Sequence, residues 1–238
     1  RFGNTIDGSQ AEFLCVPDAA ANLAPVPDSM TDEQVLMCPD IMSTGFAGAE
    51  SGKIRIGDSV AVFAQGPIGL CATAGARLMG AATIIAVDKT PERLAMAKKM
   101  GATLTVDFSK VDPVAEILRL TDGRGVDVSI EALGSQATFE AALRVLRPGG
   151  TLSSLGVYSG DLHIPLDAFL AGLGDHTIVT SLCPGGNERM RRLMSVIETG
   201  RVDLSAMVTH RYKLDEIEKA YDLFSHQRDG VLKVAITP

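Results

Sequence analysis

The feature that most constrains this chain is a regular alternation of short apolar runs and helix-like segments between residues 59 and 155. The apolar runs are rich in β-branched residues and have few polar interruptions, as in residues 83–87 (TIIAV). Strands of this kind are buried on both faces, which occurs in parallel sheets that are covered by helices. The alternation therefore predicts an α/β fold with a doubly wound parallel sheet of Rossmann type.

The pattern predicts where the strands and helices of this sheet lie. Strands are expected at residues 59–63, 83–87, 104–106, 126–130 and 151–155. Helices are expected up to Met79, then at residues 91–100, 113–120 and 138–146. Gly101 should end the second helix, and the Pro-Gly-Gly at residues 148–150 should separate the last helix from the last strand.

The flanks of this region show a different pattern. We expect a strand at residues 10–16, and then a helix at 187–198, a strand at 208–212, a helix at 214–224 and an apolar run at 231–236. These segments should pack outside the central sheet. We therefore predict one domain at residues 44–182 and a second built from residues 1–43 and 183–238.

Charge and composition disfavour several kinds of partner. Lys and Arg number 22 against 29 Asp and Glu, and no basic run offsets the net charge of −7, which argues against nucleic acid and anionic membranes. No apolar run reaches the roughly 20 residues of a membrane span, and the first residues lack the apolar part of a signal peptide. The four cysteines are scattered without a Cys-x-x-Cys pair, so we expect a reducing, cytoplasmic setting.

A glycine turn, residues 64–69 (AQGPIG), connects the first predicted strand to the first predicted helix. In dinucleotide-binding folds the second glycine of such a turn lets backbone N–H groups approach the pyrophosphate, and the third lets helix and strand pack closely. Gly66 and Gly69 fill these two positions. Ala64 replaces the first glycine, which is tolerable if its φ stays negative.

Asp88 ends the next strand, 19 residues after Gly69. The dinucleotide pattern has an acidic residue about 20 residues beyond the turn, where it accepts a hydrogen bond from the adenosine ribose 2′-OH. A carboxylate there would also repel a 2′-phosphate, which favours NAD over NADP. The alternative is a structural turn with a solvated Asp88, but strand context, spacing and acidity together favour a cofactor site.

Four motifs in order resemble the zinc-dependent medium-chain alcohol dehydrogenases, and most closely their bacterial secondary-alcohol branch. They are residues 40–46 (DIMSTGF), 66–69 (GPIG), 147–150 (RPGG) and 182–186 (LCPGG). The resemblance covers the whole chain but only the later two-thirds of such an enzyme, so the flanks would be the remnant of a barrel-like catalytic domain. It implies hydride transfer between an alcohol, by family a secondary one, and NAD, in a dimer or tetramer.

The resemblance also implies roles for individual residues. Asp40 falls where this branch has a carboxylate ligand of the catalytic zinc, and Thr44 where a threonine abuts the nicotinamide. Leu182 and Cys183 would line the substrate pocket. The implied cofactor contacts are Gly66, Pro67, Ile68, Gly69, Asp88, Lys89, Arg93 (adenosine ribose), Leu133 (adenine), Leu155, Gly156 and Val157 (nicotinamide carboxamide), and Lys233. NADP-using members have Gly-Ser-Arg at the position of Asp88-Lys89-Thr90, so this difference again favours NAD.

The zinc site is the incomplete part of this interpretation. A catalytic zinc takes about three protein ligands and keeps an open position, whereas the family's cysteine and His-Glu ligands belong upstream of Arg1. Cys38 stands two residues from Asp40 and would point the other way in an extended segment. We therefore expect zinc in the parent enzyme but an incomplete zinc site in this chain.

Three alternatives stay open at this point. The chain could be a truncated remnant that binds NAD without catalytic activity, and if Arg1 is its true start, alcohol oxidation should be undetectable. It could be a zinc-independent quinone reductase of the same superfamily, which would normally use NADP, or a Rossmann-like methyltransferase, which the Pro-Gly-Gly elements fit poorly. Glu131 is interpreted as a strand-end residue near the cofactor cleft and not as a catalytic acid.

Overall fold

The structure, a computed structural model, describes residues 2–238. It separates into two compact units: Asp40–Pro184, and the residues up to Pro39 together with Gly185–Pro238. The predicted boundaries at residues 44 and 182 lie inside the first of these units. Arg1, the first residue of the predicted second domain, lies outside the described residues.

The unit Asp40–Pro184 is built on a six-stranded, wholly parallel sheet in the order β3-β2-β1-β4-β5-β6. Its strands are β1 Ser59–Phe63, β2 Thr83–Asp88, β3 Leu104–Asp107, β4 Val126–Glu131, β5 Leu146–Ser154 and β6 Thr177–Thr180. Strand order reverses direction between β1 and β4, as in dinucleotide-binding sheets. The predicted fold class is thereby confirmed.

Helices lie between and before these strands, and further helices belong to the second unit. In chain order they are α1 Ala19–Asn22, α2 Asp32–Val35, α3 Ser43–Ser51, α4 Pro67–Leu78, α5 Pro91–Met100, α6 Pro113–Leu120, α7 Gln136–Arg144, α8 Asn187–Glu198 and α9 Ile217–Ser225. The helices α4, α5 and α6 each begin with proline, which has no N–H to leave unsatisfied at that position. Gly101 ends α5 in the left-handed region with a φ of 119°, as its position predicts.

The core lies between the sheet and its helices. Apolar side chains of the central strands, such as Phe63 and Ile85, pack with Ile117 of α6 and with Phe139 and Leu143 of α7. Each such side chain contributes about 1.5–3 kcal/mol when it is fully buried. This core fixes the strand ends on which the candidate site is built.

In the second unit the chain forms a two-stranded parallel sheet, β7 Val208–Lys213 with β8 Lys233–Thr237, together with α1, α2, α8 and α9. An ion pair from Arg211 to Glu33 and a hydrogen bond from Gln10 to the Tyr221 hydroxyl connect its two chain segments. Among residues 2–238, no helix has both the length and the apolar character needed to cross a bilayer.

Several predicted elements were wrong or missing. Residues 10–16 form no strand, because they are mostly exposed and no neighbouring strand accepts their backbone bonds. The last helix of the sheet region ends at Arg144, and β5 begins at Leu146 and continues through Pro148. A register shift against β4, together with a φ of 72° at Gly149, accommodates that proline. The helices α1, α2 and α3 and the strand β6 were not predicted.

Candidate dinucleotide site

The glycine turn has the geometry of a phosphate-binding turn. Gly66 is the N-cap of α4, and a Cβ added to it would meet no atom within 4 Å. A Cβ at Gly69, in contrast, would lie 1.8 Å from the carbonyl oxygen of Ala64, so no side chain fits there. Space at Gly66, close packing at Gly69 and the positive end of a 12-residue helix fit a pyrophosphate group.

Ala64 does not meet the condition under which alanine was tolerable in place of the first glycine. Its φ is 70°, in the left-handed region, and not negative. For a residue with a Cβ this conformation costs about 1–2 kcal/mol, so the surrounding structure must hold it. The N–H of Ala64 donates to the Val87 carbonyl over 3.0 Å, which keeps the turn on the end of β2.

Gln65 is the residue of this turn that sequence reasoning missed. It is fully buried, its backbone N–H donates to Asp88 Oδ2 (2.7 Å), and its amide donates to the Val62 carbonyl (3.0 Å). The Thr73 hydroxyl of α4 donates to Gln65 Oε1 (3.0 Å). An amide between apolar residues was the available signal, because a buried amide must find hydrogen-bond partners.

Asp88 is built into the same turn. Only 4% of it is exposed, and its carboxylate accepts three backbone bonds, from Gln65 (2.7 Å), Lys89 (2.8 Å) and Thr90 (2.9 Å). The Arg93 guanidinium of α5 lies 4.0 Å from Asp88 Oδ2. A carboxylate offers about four lone-pair positions, so roughly one is left for a ribose hydroxyl. The alternative of a solvated Asp88 does not hold.

Glu131 organises the neighbouring strand end. It is fully buried, and its Oε1 accepts from the backbone N–H groups of Leu133 (2.9 Å) and Gly134 (2.8 Å) and from the Thr138 hydroxyl (2.7 Å). Its Oε2 accepts from the Tyr158 hydroxyl (2.7 Å). Burial, and then the bond to this carboxylate, raise the pKa of Tyr158. The sequence placed Glu131 at a strand end but did not predict these bonds.

The glycine turn lies between these two carboxylates. Phe63, the last residue of β1, pairs with Val87 beside Asp88 and with Glu131 on the other side. The turn and both acids therefore stand at the carboxyl ends of β1, β2 and β4, where the strand order reverses. Ligands of open α/β sheets bind at this point.

Most of the predicted cofactor residues lie at or just beyond the carboxyl ends of β1, β2, β4 and β5. Leu133 (60% exposed) follows β4, and Val157 (85% exposed) follows β5 together with the buried Leu155. Gly156 is packed so closely on Gly134 that a Cβ would lie 2.3 Å from its Cα. Arg93 lies on α5, and Lys233 lies on β8 in the other unit.

Asp40, Thr44 and Cys183 are brought together elsewhere in the same unit. The Thr44 hydroxyl, buried at the start of α3, donates to Asp40 Oδ1 over 3.2 Å, and Asp40 itself is exposed. Cys183 Sγ lies 3.8 Å from the Asp40 carbonyl oxygen, next to the exposed Leu182. These four predicted residues are therefore near one another in space or in sequence.

The segment around Cys38 is not extended. Residues Cys38–Met42 form a π-helical turn that leads into α3. Burial raises the pKa of the Cys38 thiol to about 11, which opposes the thiolate that a metal would need. Among the residues that the structure describes, no group of three or more His, Cys, Asp or Glu could hold a metal ion. The described residues therefore do not fit a catalytic zinc.

A parallel sheet in this strand order, with a glycine turn and an acidic residue at the point of reversal, defines a Rossmann-type dinucleotide-binding unit. A family model described as zinc-binding dehydrogenase matches residues 67–199. The chain belongs to this family.

Its relatives include alcohol dehydrogenases. The chain is 72% identical over 238 residues to an alcohol dehydrogenase of Cupriavidus necator, with all of this chain and 65% of the relative covered. It is 40% identical to the NADP-dependent isopropanol dehydrogenase of Thermoanaerobacter brockii, with 99% and 68% covered. The solved alcohol dehydrogenase TADH from Thermus sp. ATN1 superimposes with a TM-score of 0.87 at 34% identity, with 97% and 66% covered. The chain thus spans about two-thirds of the length of these relatives.

Proposed function

We propose that the unit Asp40–Pro184 binds NAD, in preference to NADP, at the carboxyl ends of its strands. We further propose that the protein acts as a zinc-type alcohol dehydrogenase, moving a hydride between a secondary alcohol and NAD. The observation that carries the proposal is the buried Asp88 carboxylate, bonded to the backbone of the glycine turn and retaining room for one more donor. Relatives named alcohol and isopropanol dehydrogenases support the reaction class.

Each part of the site would hold one part of the cofactor. The open backbone at Gly66 and the N-terminus of α4 would face the pyrophosphate. Asp88 would accept from the adenosine ribose 2′-OH, with Lys89 and Arg93 beside it, and Leu133 would cover one face of the adenine. A 2′-phosphate would meet the Asp88 carboxylate, which argues for NAD although several relatives are named NADP-dependent.

The remaining residues would hold the reacting end. Bound NAD supplies an acceptor for the hydride that leaves the carbinol carbon. The backbone of Leu155, Gly156 and Val157 would orient the carboxamide, and the Thr44 hydroxyl, fixed by its bond to Asp40, would pack beside the nicotinamide. The same proposal has Leu182 and Cys183 lining an alcohol pocket and Lys233 contacting the cofactor. It also has Asp40 as a zinc ligand in the whole protein. A cytoplasmic location and a dimer or tetramer complete it.

Parallel calorimetric titration of the chain with NAD and NADP tests the cofactor. We expect tighter binding of NAD, and we expect Asp88→Asn to lower the ratio of the NADP to the NAD dissociation constant by about tenfold or more, which corresponds to ~1.4 kcal/mol. The substitution removes the charge that opposes a 2′-phosphate and weakens a charge-assisted hydrogen bond.

Asp58→Asn is the matched control, since Asp58 accepts a backbone bond from Arg55 just before β1, at the opposite ends of the strands. It should leave both affinities unchanged. Tighter binding of NADP by the unaltered chain would overturn the cofactor proposal and favour a quinone reductase.

A second candidate is cofactor binding without turnover. It is favoured by the lack, among residues 2–238, of any three-residue group that could hold a metal. Isopropanol oxidation, followed as NADH absorbance with zinc present, distinguishes the two: NAD binding without NADH formation would favour this candidate for the 238-residue chain.

A further inference from the structure

The segment that follows β5 is attached at two places to a single residue of β4. At its start, the N–H of Leu155 donates to the backbone carbonyl of Glu131 (2.8 Å). Three residues later, the Tyr158 hydroxyl donates to Glu131 Oε2 (2.7 Å). Gly156 and Val157 therefore form a short span between two anchors, and Glu131 supplies the acceptor at both ends.

Tyr158 is held in place for this contact. Its ring packs edge-on against Phe139 of α7, with centroids 6.0 Å apart and planes at 86°. Its hydroxyl is also hydrogen-bonded to Ser154 Oγ (2.8 Å). The tyrosine ring and its hydroxyl thus fix the far end of the span through independent contacts, one apolar and one polar.

The two oxygens of Glu131 serve different segments. Oε1 takes its three donors from the chain after β4, at Leu133, Gly134 and Thr138, and Oε2 faces Tyr158. Removal of the Tyr158 hydroxyl therefore leaves the bonds of Oε1 and the ring contact with Phe139 in place, and it removes the polar anchor of the span after β5 together with the bond to Ser154. This separation makes the contribution of Tyr158 measurable on its own.

We infer that Tyr158 is a positioning residue which, through Glu131, fixes the Gly156–Val157 backbone for the nicotinamide end of the cofactor. The inference rests on the proposed dinucleotide site. Without the hydroxyl the span gains conformational freedom, and ordering it again on binding costs affinity. The adenosine end, held by the glycine turn and Asp88, does not depend on this contact.

ADP-ribose separates the two ends, because it carries the adenosine and pyrophosphate of NAD but no nicotinamide. We expect Tyr158→Phe, which keeps the ring against Phe139, to weaken NAD about three- to tenfold, the size of one hydrogen bond. The affinity for ADP-ribose should change less than about twofold. Both dissociation constants are measured by calorimetry on the full chain.

Two further variants define the controls. Ser59→Ala also removes a hydroxyl that donates to a carboxylate, in this case that of Asp127 over 2.7 Å. This bond lies at the opposite ends of the strands, so the substitution should alter the affinity for neither NAD nor ADP-ribose. In Glu131→Gln the amide can donate to the Tyr158 oxygen, so the span keeps a polar anchor. The ratio of NAD affinity to ADP-ribose affinity should therefore change less in Glu131→Gln than in Tyr158→Phe, both measured against the unaltered chain.

The outcomes separate this inference from the proposed function. Equal losses of NAD and ADP-ribose affinity in Tyr158→Phe, or no loss of either, would overturn the positioning role while NAD binding by the unaltered chain stands. If the unaltered chain binds neither ligand, the proposed function fails and this inference fails with it.

Discussion

At the scale of single residues, the glycine turn combines a strained position with a buried hydrogen-bond network. Ala64 adopts a φ of 70°, and the following residue, Gln65, makes three bonds to its surroundings. One of these bonds ends on Asp88, so the backbone of the phosphate turn and the proposed ribose acceptor share a hydrogen bond. A change at Asp88 should therefore disturb both ends of the adenosine diphosphate site.

The strain at Ala64 gives a stability prediction. Ala64→Gly should raise the free energy of unfolding by about 0.5–1 kcal/mol, because glycine adopts positive φ without steric cost and this gain exceeds its greater entropy in the unfolded chain. The same substitution in the exposed middle of α5, Ala95→Gly, should lower it by about 1 kcal/mol. Urea unfolding followed by circular dichroism measures both, and a loss of stability in Ala64→Gly would show that the position is not strained.

At the scale of secondary-structure elements, the Asp127 carboxylate of β4 connects neighbouring strands at their amino ends. Asp127 accepts from the backbone and hydroxyl of Ser59 (2.9 and 2.7 Å) at the start of β1, and from Arg147 (2.6 Å) on β5. Arg124 donates to it as well (2.6 Å). The bonds thus join three adjacent strands at the ends opposite the candidate site, which separates sheet stability from cofactor binding.

This carboxylate predicts a pH dependence. Burial alone would raise the pKa of Asp127, but the bonds from Arg124, Arg147 and Ser59 outweigh it and hold the pKa well below its usual value. A lowered pKa in the folded state means that the stabilisation is present above the unfolded value, near pH 4, and is lost as the pH falls further. Asp127→Asn should therefore lower the unfolding free energy by about 1–3 kcal/mol at pH 7.

The difference in unfolding free energy between Asp127→Asn and the unaltered chain should become smaller below pH 4. Asp161→Asn, at an exposed position, should have little effect at any pH. Urea unfolding at pH 7 and pH 3 provides the comparison, and a gap that widens on acidification would contradict the assigned direction of the pKa shift.

How far the sequence predicts these elements depends on whether the determining contacts are local. The apolar runs of β1 and β2 and the proline starts of α4, α5 and α6 carry their own signals. The edge strand β6 is short and mostly exposed, and it depends on β5 for its bonds. The path of β5 through Pro148 requires a register shift against β4 that no local pattern encodes.

The same distinction applies to the candidate site. The glycine turn and Asp88 were predictable because spacing along the chain sets their geometry. The contact between Tyr158 and Glu131 was not, because it joins residues from two strand ends that are 27 positions apart. Gln65 was missed although an amide among apolar residues was a local signal, and its hydrogen-bond partners could not be predicted from the sequence.

At the scale of the whole molecule, the described residues carry a candidate dinucleotide site but no candidate metal site. The first relatives are longer than this chain, which covers 65% of the Cupriavidus necator enzyme. The strand ends of Asp40–Pro184 carry a site that fits a dinucleotide, while residues 2–238 offer no three-residue group for a metal. Dinucleotide binding by this chain should therefore be independent of zinc.

Thermal unfolding tests that independence. NAD at 100 times its dissociation constant should stabilise the folded state by about 2.7 kcal/mol, since only the folded state binds it. Dialysis against a chelator should alter neither the Tm of the chain nor the shift that NAD produces. Zinc added in equimolar amount should likewise raise neither value, because Asp40 without two further ligands holds zinc too weakly. A Tm that falls after chelation would show that these residues do bind a structural or catalytic metal. The expected independence of NAD binding from zinc would then be wrong.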